Sequence, residues 1–373
     1  MTENEETSAA DAGDGAILVG VGRAGCAAAA KISAAFAGRA RTLLVDTDAR
    51  SGTANPGCPF LLVGGNRIGG AGAGGDMQLA RIAAAESAHD FDARIASART
   101  VVLVCGAAGG TGGGATVSLL ERLRKNGAVS VVFALEPFSF EGPQAASNAM
   151  RTSAGIAKHA DAYVQIPLDA LVGCAGADNM AEAFDRGVEA LAAGATLFWT
   201  LVQNPGYIAL DSERLRSFVR DSGEAVFATA SAAGPDRAGI VLASLRDSPL
   251  FGPDGAPRHA GKLLVGIAGG DDLRLSEVGR LAKGTAEIFG NPREFALGTV
   301  NDPGDMSGRI SAVALAFVSP AREAKPEQHR KSQQPSDPLR SAHGRFGGEE
   351  RNFWNGEDLD TPTYLRRNLS LER

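Results

Sequence analysis

The sequence predicts an α/β protein in which a helix-covered parallel sheet is followed by a long helix and a smaller α+β domain. Short apolar runs such as AILVGV (16–21) and VVLVC (101–105) alternate with segments of helical pattern. This alternation is typical of parallel sheets with helices on both faces. Glycine-rich loops follow several of the apolar runs. At 373 residues the chain has room for about two domains.

In the first half of the chain, each predicted strand is an apolar run bounded by polar or glycine-rich residues. The strands are expected at 16–21, 42–46, 101–105, 129–135 and 162–167. Helices are expected at 24–36, which is rich in alanine, at about 77–88, and between the third and fourth of these strands. Together they predict one domain over 16–177, preceded by an acidic, disordered arm over 1–15.

In the second half, Asp178 and Asn179 are suitable caps for a long helix over 178–203, which ends before the NPG at 204–206. An α+β domain is predicted over 204–318. Its expected elements are a short helix, a β-rich run at 224–231, a helix near 236–248, a strand at 262–269, a helix at 273–288, and strands near 295–300 and 309–318.

The end of the chain changes composition twice. Residues 319–356 are polar and rich in Pro, Gln, Ser and Arg, so they cannot bury enough apolar area to offset the entropy of ordering, and we expect a flexible linker. Apolar and aromatic residues return over 357–373. A short apolar segment on a flexible tether is typical of a docking peptide. A generic amphipathic end is the alternative.

Composition excludes several function classes. The chain is 44% hydrophobic and 21% charged with a net charge of −6, and it carries no dense basic stripe, so nucleic acid is not an expected partner. Its four cysteines form no metal-binding spacing, and no metal site is predicted. The N-terminus lacks the order of a signal peptide. No apolar run approaches the ~20 residues that would span a bilayer.

Three glycine-rich loops follow predicted strands. The first glycine loop, GVGRAG (20–25), fits GxGxxG, and with Asp46 and Asp48 at the end of the next strand it matches the dinucleotide-binding fingerprint. On its own this loop would indicate an NAD-dependent oxidoreductase, which is a remote alternative. The others are GGAGAGGD (69–76), the second glycine loop, and GAAGGTGGGAT (106–116), the third.

Several such loops at one edge of a sheet favour a single nucleotide whose phosphates are surrounded by backbone N–H donors. A flexible connector is the plainer interpretation of the third glycine loop. A Walker lysine is missing, because no GK[ST] follows any of the loops. Charge neutralisation must then come from N–H groups, helix N-termini and a metal ion.

A series of motifs resembles one known family. Within the third glycine loop, AAGGTGGG (107–114) is similar to the tubulin signature GGGTGTG. Further motifs, in the same order, are similar to NTDAQ, GLGAGGDPEIGR, TKPFSFEG, RPGLINLD, SPLL and DIPTFLRR. They are DTDAR (46–50), GAGAGGDMQLAR (70–81), EPFSFEG (136–142), NPGYIALD (204–211), DSPLF (247–251) and DLDTPTYLRR (358–367). The chain is identified as a divergent member of the FtsZ family, the bacterial tubulin homologues of the cell-division ring.

The resemblance implies a tubulin-like fold with a Rossmann-type nucleotide-binding domain. It also implies binding of GTP and GDP, allows for a Mg²⁺ ion, and predicts head-to-tail polymerisation. Glu141 matches the acid near the ribose, and Phe184 matches the aromatic that packs on the base. The residues that match the nucleotide-binding loops are Gly20, Gly22, Gly25, Gly72, Ala73, Gly74, Gly75, Asp76, Gly109, Gly110, Thr111, Gly112 and Gly114.

The family's catalytic loop is altered in this chain. Family members use NxDxxD, in which two acids position the attacking water for the neighbouring subunit's nucleotide, and such phosphoryl transfer depends on electrostatic arrangement. The sequence here is AxDxxR, with Ala209, Asp211 and Arg214. We therefore expect Asp211 to be the catalytic residue of a slow GTPase. The alternative is that Asp211 only caps the following helix.

Contacts to the base and ribose are also changed. Where the family has Asn, Arg, Asn and Asn, this chain has Ala27, Ala145, Leu168 and Val188. Glu189 replaces an Asp and keeps a carboxylate that can pair with guanine. Since each lost hydrogen bond costs ~1 kcal/mol, four losses predict affinity weakened by ~10³-fold. A non-catalytic filament or scaffold protein with weak or no nucleotide binding is therefore the second hypothesis.

The resemblance at the end of the chain implies a partner and a location. Family members dock on membrane adaptors of the division ring through this peptide, so we expect a cytoplasmic protein at the mid-cell division site. The expected docking residues are Asp360, Pro362, Tyr364, Leu365, Arg366 and Arg367. No direct membrane span is predicted.

Overall fold

The structure is a computed structural model. It describes residues 15–35, 40–172, 210–251, 255–257, 259–301 and 306–318, isolated positions between 182 and 208, and the pairs 353–354 and 357–358. The chain divides into a unit over residues 1–322 and a second unit over 323–373. In the second unit, Phe353–Trp354 pairs antiparallel with Glu357–Asp358. In the described part of the chain, no helix is both long and apolar enough to cross a membrane.

Six parallel strands form the first part of the sheet, in the order β3-β2-β1-β4-β5-β6. This is the Rossmann-type order, in which the direction of winding reverses between β1 and β4. The strands are β1 (Ala16–Val21), β2 (Thr42–Asp46), β3 (Phe60–Leu62), β4 (Thr100–Gly106), β5 (Val129–Glu136) and β6 (Ala162–Pro167). Nearly all of their residues are buried, as expected for a parallel sheet covered on both faces.

The helices of this part connect the parallel strands. The helix predicted at 77–88 is two helices that meet at Ser87, and β3 and the helix over 143–159 have no counterpart in the sequence prediction. The bounds are α1 (Gly22–Ala35), α2 (Arg50–Ala54), α3 (Gly65–Ile68), α4 (Met77–Glu86), α5 (Ala88–Ile95), α6 (Thr116–Asn126), α7 (Pro143–His159) and α8 (Leu168–Val172).

Four further strands extend the same sheet as β6-β7-β10-β8-β9. β7 joins β6 in parallel through three residue pairs, and β10 runs antiparallel to both of its neighbours. The strands are β7 (Gly223–Ala233), β8 (Lys262–Gly269), β9 (Glu294–Asn301) and β10 (Arg309–Phe317), and the helices are α9 (Ser212–Val219), α10 (Arg237–Arg246) and α11 (Leu275–Ile288). Both halves thus share one ten-stranded sheet, and the predicted domain boundaries stay a prediction.

Alternation along the strands divides the core between the two faces of the sheet. In β1, Ile17 and Val19 belong to one apolar cluster, whereas Leu18 belongs to the other. The cluster of Leu18 continues to Phe227 and Phe317 in the second half of the sheet. Continuous packing of this kind holds the ends of the central strands in place. The first and third glycine loops lie at the ends of β1 and β4, whereas the second follows the short helix α3 and not a strand as predicted.

The predicted long helix lies almost wholly outside the described residues. Six positions between 182 and 200 are described, and all are helical. One of them, Val188, is 1% exposed and belongs to the same apolar cluster as Leu18. Apart from Phe353–Trp354 in the predicted linker over 319–356 and Glu357–Asp358 in the predicted docking peptide over 357–373, both segments also lie outside the described residues.

Candidate functional site

A cavity of about 490 Å³ opens at the carboxyl ends of the central parallel strands. It is lined by the last residues of β1, β2, β4 and β5, which are Val21, Asp46, Gly106 and Glu136. In open α/β sheets, ligands bind outside the carboxyl ends of the strands where the winding direction reverses. The cavity therefore occupies the position that the strand order favours for a ligand.

Residues of all three glycine loops line this cavity. The first loop contributes its middle, and the second and third contribute longer stretches of backbone. The predicted site residues among the lining are Gly22, Gly72, Ala73, Gly74, Gly75, Gly109, Gly110, Thr111, Gly112 and Glu141. The structure thus brings together most of the described residues that the sequence assigned to the phosphate loops.

The third glycine loop is held tightly against the end of the sheet. Thr111–Ala115 forms a π-helical turn that leads directly into α6, and its five residues are buried. Such turns are rare and often occur at functional sites. The hydroxyls of Thr111 and Thr47 are 2.6 Å apart, which ties the loop to the end of β2. A Cβ at Gly112 would lie 2.1 Å from the carbonyl oxygen of Gly106, so only glycine fits there.

The first and third loops touch through their backbones. Gly22 has a φ of +72°, and a Cβ at this position would lie 2.9 Å from the amide nitrogen of Gly112. Two peptide segments therefore approach closely without side chains between them. Close backbone packing of this kind is typical of glycine-rich loops that bind anions.

Four of the described residues that the sequence assigned to nucleotide binding do not line the cavity. Gly20 and Gly25 let α1 pack on the sheet, since a Cβ at Gly25 would lie 2.3 Å from the carbonyl oxygen of Val104. The Asp76 carboxylate accepts hydrogen bonds from the backbone N–H groups of the first turn of α4. Asp76 and Gly114 line a neighbouring cavity of about 480 Å³. Their places in the structure indicate support for the loops.

Two polar side chains of α7 that the sequence analysis did not single out hold the loops together. The buried Asn148 amide donates to the carbonyl oxygens of Gly75 at 3.0 Å and Ala108 at 2.9 Å. Thr152 Oγ1 donates to the carbonyl oxygen of Ala107 at 2.9 Å. One helix thus fixes the second and third glycine loops relative to each other. In the sequence, the i, i+4 spacing of these two polar residues was the pattern that could have indicated that they share one face of a helix.

Two acids, the last residue of β2 and the second residue after it, lie at the edge of the cavity. The Asp46 carboxylate accepts from the Thr47 backbone N–H at 2.7 Å and from Ser51 Oγ at 2.5 Å. Asp48 accepts from Arg50 Nε at 2.9 Å and from an Arg50 terminal nitrogen at 2.7 Å. These hydrogen bonds are the main reason why the pKa of Asp48 is lowered to about 2. Asp48 is therefore ionised at neutral pH.

The opposite end of the cavity is more apolar. Leu135, Pro137 and Leu168 line it, together with Glu136 and Glu141. Burial, followed by the nearby charge of Glu224, raises the pKa of Glu136. Glu141 accepts a hydrogen bond from the Phe138 backbone N–H at 2.9 Å. The cavity therefore has a glycine-rich end and an apolar end, which suits a ligand with a phosphate tail and a flat ring.

The predicted catalytic residue lies elsewhere on the molecule. Asp211 is exposed, does not line the cavity, and precedes the first residue of α9 without a side-chain capping hydrogen bond. Arg214, one turn into α9, is also exposed. Phe184 and Glu189, and the docking residues Asp360, Pro362, Tyr364, Leu365, Arg366 and Arg367, lie outside the described residues.

Comparison with known proteins agrees with this geometry. A model described as the Tubulin/FtsZ family, GTPase domain, matches residues 16–176. The cell division protein FtsZ of Methanothermobacter thermautotrophicus is 32% identical over 270 residues, which are 72% of this chain and 70% of that protein. FtsZ 1 of Pyrococcus horikoshii is 31% identical over 260 residues, with 70% and 69% covered.

Solved structures show the same fold. An empty FtsZ dimer from M. jannaschii has a TM-score of 0.76 at 25% identity over 81% of this chain and 88% of that chain. A GTPγS-bound CetZ2 protofilament from Haloferax volcanii has a TM-score of 0.68 at 24% identity, with 82% and 94% covered. The fold, the glycine loops and the sequence identity lead to one conclusion: the chain is a divergent member of the FtsZ branch of the tubulin/FtsZ family.

Proposed function

We propose that this chain binds GTP and GDP in the cavity and assembles head to tail into filaments. The convergence of three glycine loops on one cavity carries the proposal. Backbone N–H groups and helix N-termini bind phosphate without needing side chains. The apolar end, with Leu135, Pro137 and Leu168, suits the base. A volume of about 490 Å³ is ordinary for a site that takes one small molecule.

A Mg²⁺ ion fits this site only as a companion of the nucleotide. Among the described residues, no group of three or more His, Cys, Asp or Glu side chains is arranged to hold a metal ion. Mg²⁺ commonly keeps several waters and binds through phosphates and one or two carboxylates. Of the four acids that line the cavity, Asp46 and Asp48 lie beside the second glycine loop, and both already accept hydrogen bonds. The metal would neutralise phosphate charge.

In a head-to-tail filament, Asp211 of one subunit would face the nucleotide that is bound by the next subunit. The related structures include an FtsZ dimer and a CetZ2 protofilament. Exposed apolar side chains lie near both parts that a head-to-tail contact would join: Phe140, 65% exposed, precedes the cavity residue Glu141, and Tyr207, 82% exposed, precedes Asp211. A heterologous contact of this kind generates an open filament.

Hydrolysis is proposed to be slow. Of the two acids in the resembling motif, Asp211 is kept and the other is replaced by Arg214. A guanidinium beside the incoming phosphates strengthens electrostatic binding, but it cannot accept a proton or orient water through a carboxylate. This replacement also supports the second candidate, a filament or scaffold protein that does not hydrolyse GTP.

The family membership leaves no ground for an NAD-dependent oxidoreductase.

A role in cell division, at a cytoplasmic mid-cell ring, is part of the proposal. Its support is the name of the relatives, cell division protein FtsZ, and the C-terminal peptide DLDTPTYLRR. The peptide would bind membrane adaptors through residues 358–367. The long polar stretch before it gives the reach that a tether needs.

A pelleting assay with paired phosphate-release measurements tests the proposal. We expect the full chain to sediment as filaments with GTP and not with GDP, and to release phosphate slowly above a buffer blank. Filaments that form equally with and without GTP, with no released phosphate, would favour the non-catalytic scaffold. Absence of both filaments and nucleotide binding would contradict the proposed function as a whole.

A further inference from the structure

We propose that Arg23 and Arg50 form an arginine clamp that binds the terminal phosphate of GTP. The proposal rests on the proposed binding of GTP and names the groups that offset its charge. Both arginines line the glycine-rich end of the cavity. The motif that resembles NTDAQ reads DTDAR here, so Arg50 stands where the family motif has a neutral glutamine.

The charge balance of the cavity calls for such a clamp. Four acids line the cavity, Asp46 and Asp48 near the glycine loops and Glu136 and Glu141 at the other end. A triphosphate entering beside the ionised Asp48 would be repelled in a partly enclosed site. The only cations among the described lining residues are Arg23 and Arg50. Among these residues, the two arginines are therefore the side chains that can neutralise phosphate charge.

Asp48 acts as a buried anchor for the two arginines. Its side chain is 9% exposed, whereas those of Arg23 and Arg50 are 79% and 76% exposed. The Arg50 terminal nitrogen is 2.7 Å and that of Arg23 is 3.6 Å from the same oxygen, Oδ2 of Asp48. One carboxylate thus gathers two guanidinium groups that would otherwise repel each other.

The anchor stands next to the loop that would hold phosphate. Asp48 forms a β-bridge with Ala71, and a Cβ at Gly72 would lie 3.5 Å from Asp48 Cβ. The arginines are thereby placed beside the second glycine loop, whose Gly74 and Gly75 have no neighbour within 4 Å of a Cβ position. An anion on this loop lies within reach of both guanidinium groups.

Donors remain free for that anion. Arg50 uses Nε and one terminal nitrogen on Asp48. A guanidinium has five N–H donors in a planar fork, so the other terminal nitrogen of Arg50 keeps its own N–H groups. Arg23 is close to Asp48 as an ion pair and no hydrogen bond between them shorter than 3.5 Å is formed. Arginine with free donors binds phosphate oxygens through charge-assisted hydrogen bonds.

Two consequences follow for nucleotide binding. Charge supplied by side chains should let GTP bind without a divalent cation, since the clamp replaces part of the neutralisation that Mg²⁺ provides. The clamp should also favour GTP over GDP, because the added phosphate is the group it contacts. The backbone loops alone would bind the shared phosphates of both nucleotides.

The experiment is equilibrium binding of fluorescent mant-GTP and mant-GDP to the full chain, in EDTA and in Mg²⁺. We expect the parent protein to bind mant-GTP in EDTA. The double variant Arg23→Gln, Arg50→Gln is expected to lose at least about tenfold in affinity for mant-GTP in EDTA, and less in Mg²⁺ or for mant-GDP. Arg94→Gln removes an exposed arginine that does not line the cavity, and should match the parent.

The outcomes separate this inference from the function on which it rests. Equal affinity of parent and double variant in EDTA, or an equal loss for mant-GTP and mant-GDP, overturns the clamp while leaving GTP binding in place. A parent protein that binds neither nucleotide overturns both. Arg50→Lys keeps the charge and should lose less than Arg50→Gln; an equal loss overturns the electrostatic basis. Unchanged melting midpoints without ligand would show that the variants are folded.

Discussion

Asp211 is the acid on which the proposed hydrolysis depends. It is exposed and makes no capping hydrogen bond to α9, which is consistent with a role toward a second subunit. We expect Asp211→Ala to leave GTP binding unchanged and to abolish phosphate release from filaments, because Arg214 already occupies the other acid position of the NxDxxD pattern. Binding and phosphate release would be measured on the same preparation.

The neighbouring position provides the opposite test. Arg214→Asp restores the second acid of the NxDxxD pattern, and we expect it to raise the rate of phosphate release. If Asp211→Ala hydrolyses GTP at the parent rate, Asp211 has no catalytic role, and only backbone geometry at the start of α9 would explain its place there.

Gly114 shows how tightly the phosphate loops are packed. A Cβ at this position would lie 2.0 Å from the carbonyl oxygen of Met77, which is backbone and cannot rotate away. We expect Gly114→Ala to push α4 from the π-helical turn and to lower the free energy of unfolding by about 1–3 kcal/mol. Denaturant unfolding of the nucleotide-free protein measures the change.

Gly279 is the matched control for that substitution. It lies inside α11 and is exposed, and a Cβ added there would have no neighbouring heavy atom within 4 Å outside its own helix turn among the described residues. Gly279→Ala should raise the free energy of unfolding by roughly 0.5–1 kcal/mol, since alanine loses less entropy in a helix. A stabilising Gly114→Ala would show that the loop has more room than its backbone distances indicate.

At the scale of elements, an ion cluster around the buried Arg237 joins α10 to α11. The Arg237 side chain is 6% exposed and binds Asp272 at 2.6 Å and Glu277 at 2.8 Å. Hydrogen bonds from Arg237 are the largest cause of the lowered pKa of both acids. Arg237→Met removes the guanidinium from both acids, and since the Asp272 side chain is 47% exposed and stays solvated, we expect the free energy of unfolding at neutral pH to fall mainly through Glu277, by roughly 1–3 kcal/mol.

The pH dependence of this effect has a definite sign. Since the folded-state pKa values of Asp272 and Glu277 are lowered, the stabilisation is complete above their unfolded values of about 4 and is lost as the pH falls through the folded values. The difference between parent and Arg237→Met should therefore shrink below about pH 4. Arg280→Met breaks an exposed pair with Asp236 and should cost less than about 1 kcal/mol at any pH.

The sequence predicts some elements well because their patterns are local. Strongly apolar strands such as β1 and β4 and the glycine loops after them need no tertiary information to be recognised. By contrast, α7 buries Asn148 and Thr152 as well as Ile156, so its inner face lacks an apolar stripe. The three residues of β3 are too few for a periodic signal.

The same distinction applies to the site. Motif spacing was sufficient to predict that Gly22, Gly109 and Thr111 lie at one site, and all three line the cavity; their contact with phosphate stays a prediction. The roles of Gly20 and Gly25 could not, since a GxGxxG pattern does not distinguish a glycine that faces the ligand from one that lets a helix approach the sheet. Arg23 and Arg50 become candidates only when folding brings both to Asp48.

At the scale of the whole molecule, the proposed docking role of the C-terminal peptide can be tested apart from filament assembly. We expect deletion of residues 358–373 to leave GTP-dependent filaments intact, because all residues that line the cavity or form the ten-stranded sheet come before position 318. Localisation of a fluorescent fusion in dividing cells would measure anchoring, and sedimentation would measure assembly. Replacing the polar segment 326–341 by a scrambled sequence of the same composition is the control. Unchanged mid-cell localisation of the truncated protein would contradict the docking role.

The junction between β6 and β7 has a mechanical consequence. Only three residue pairs, from Ala162↔Gly223 to Val164↔Ala225, join the six parallel strands to the remaining four among the described residues, whereas β7 and β10 share nine. In a filament under tension, load between successive subunits would cross this short junction. Pulled from both ends of the sheet, a single subunit should yield there first and extend in two force steps, so the junction would set the tension that a filament withstands.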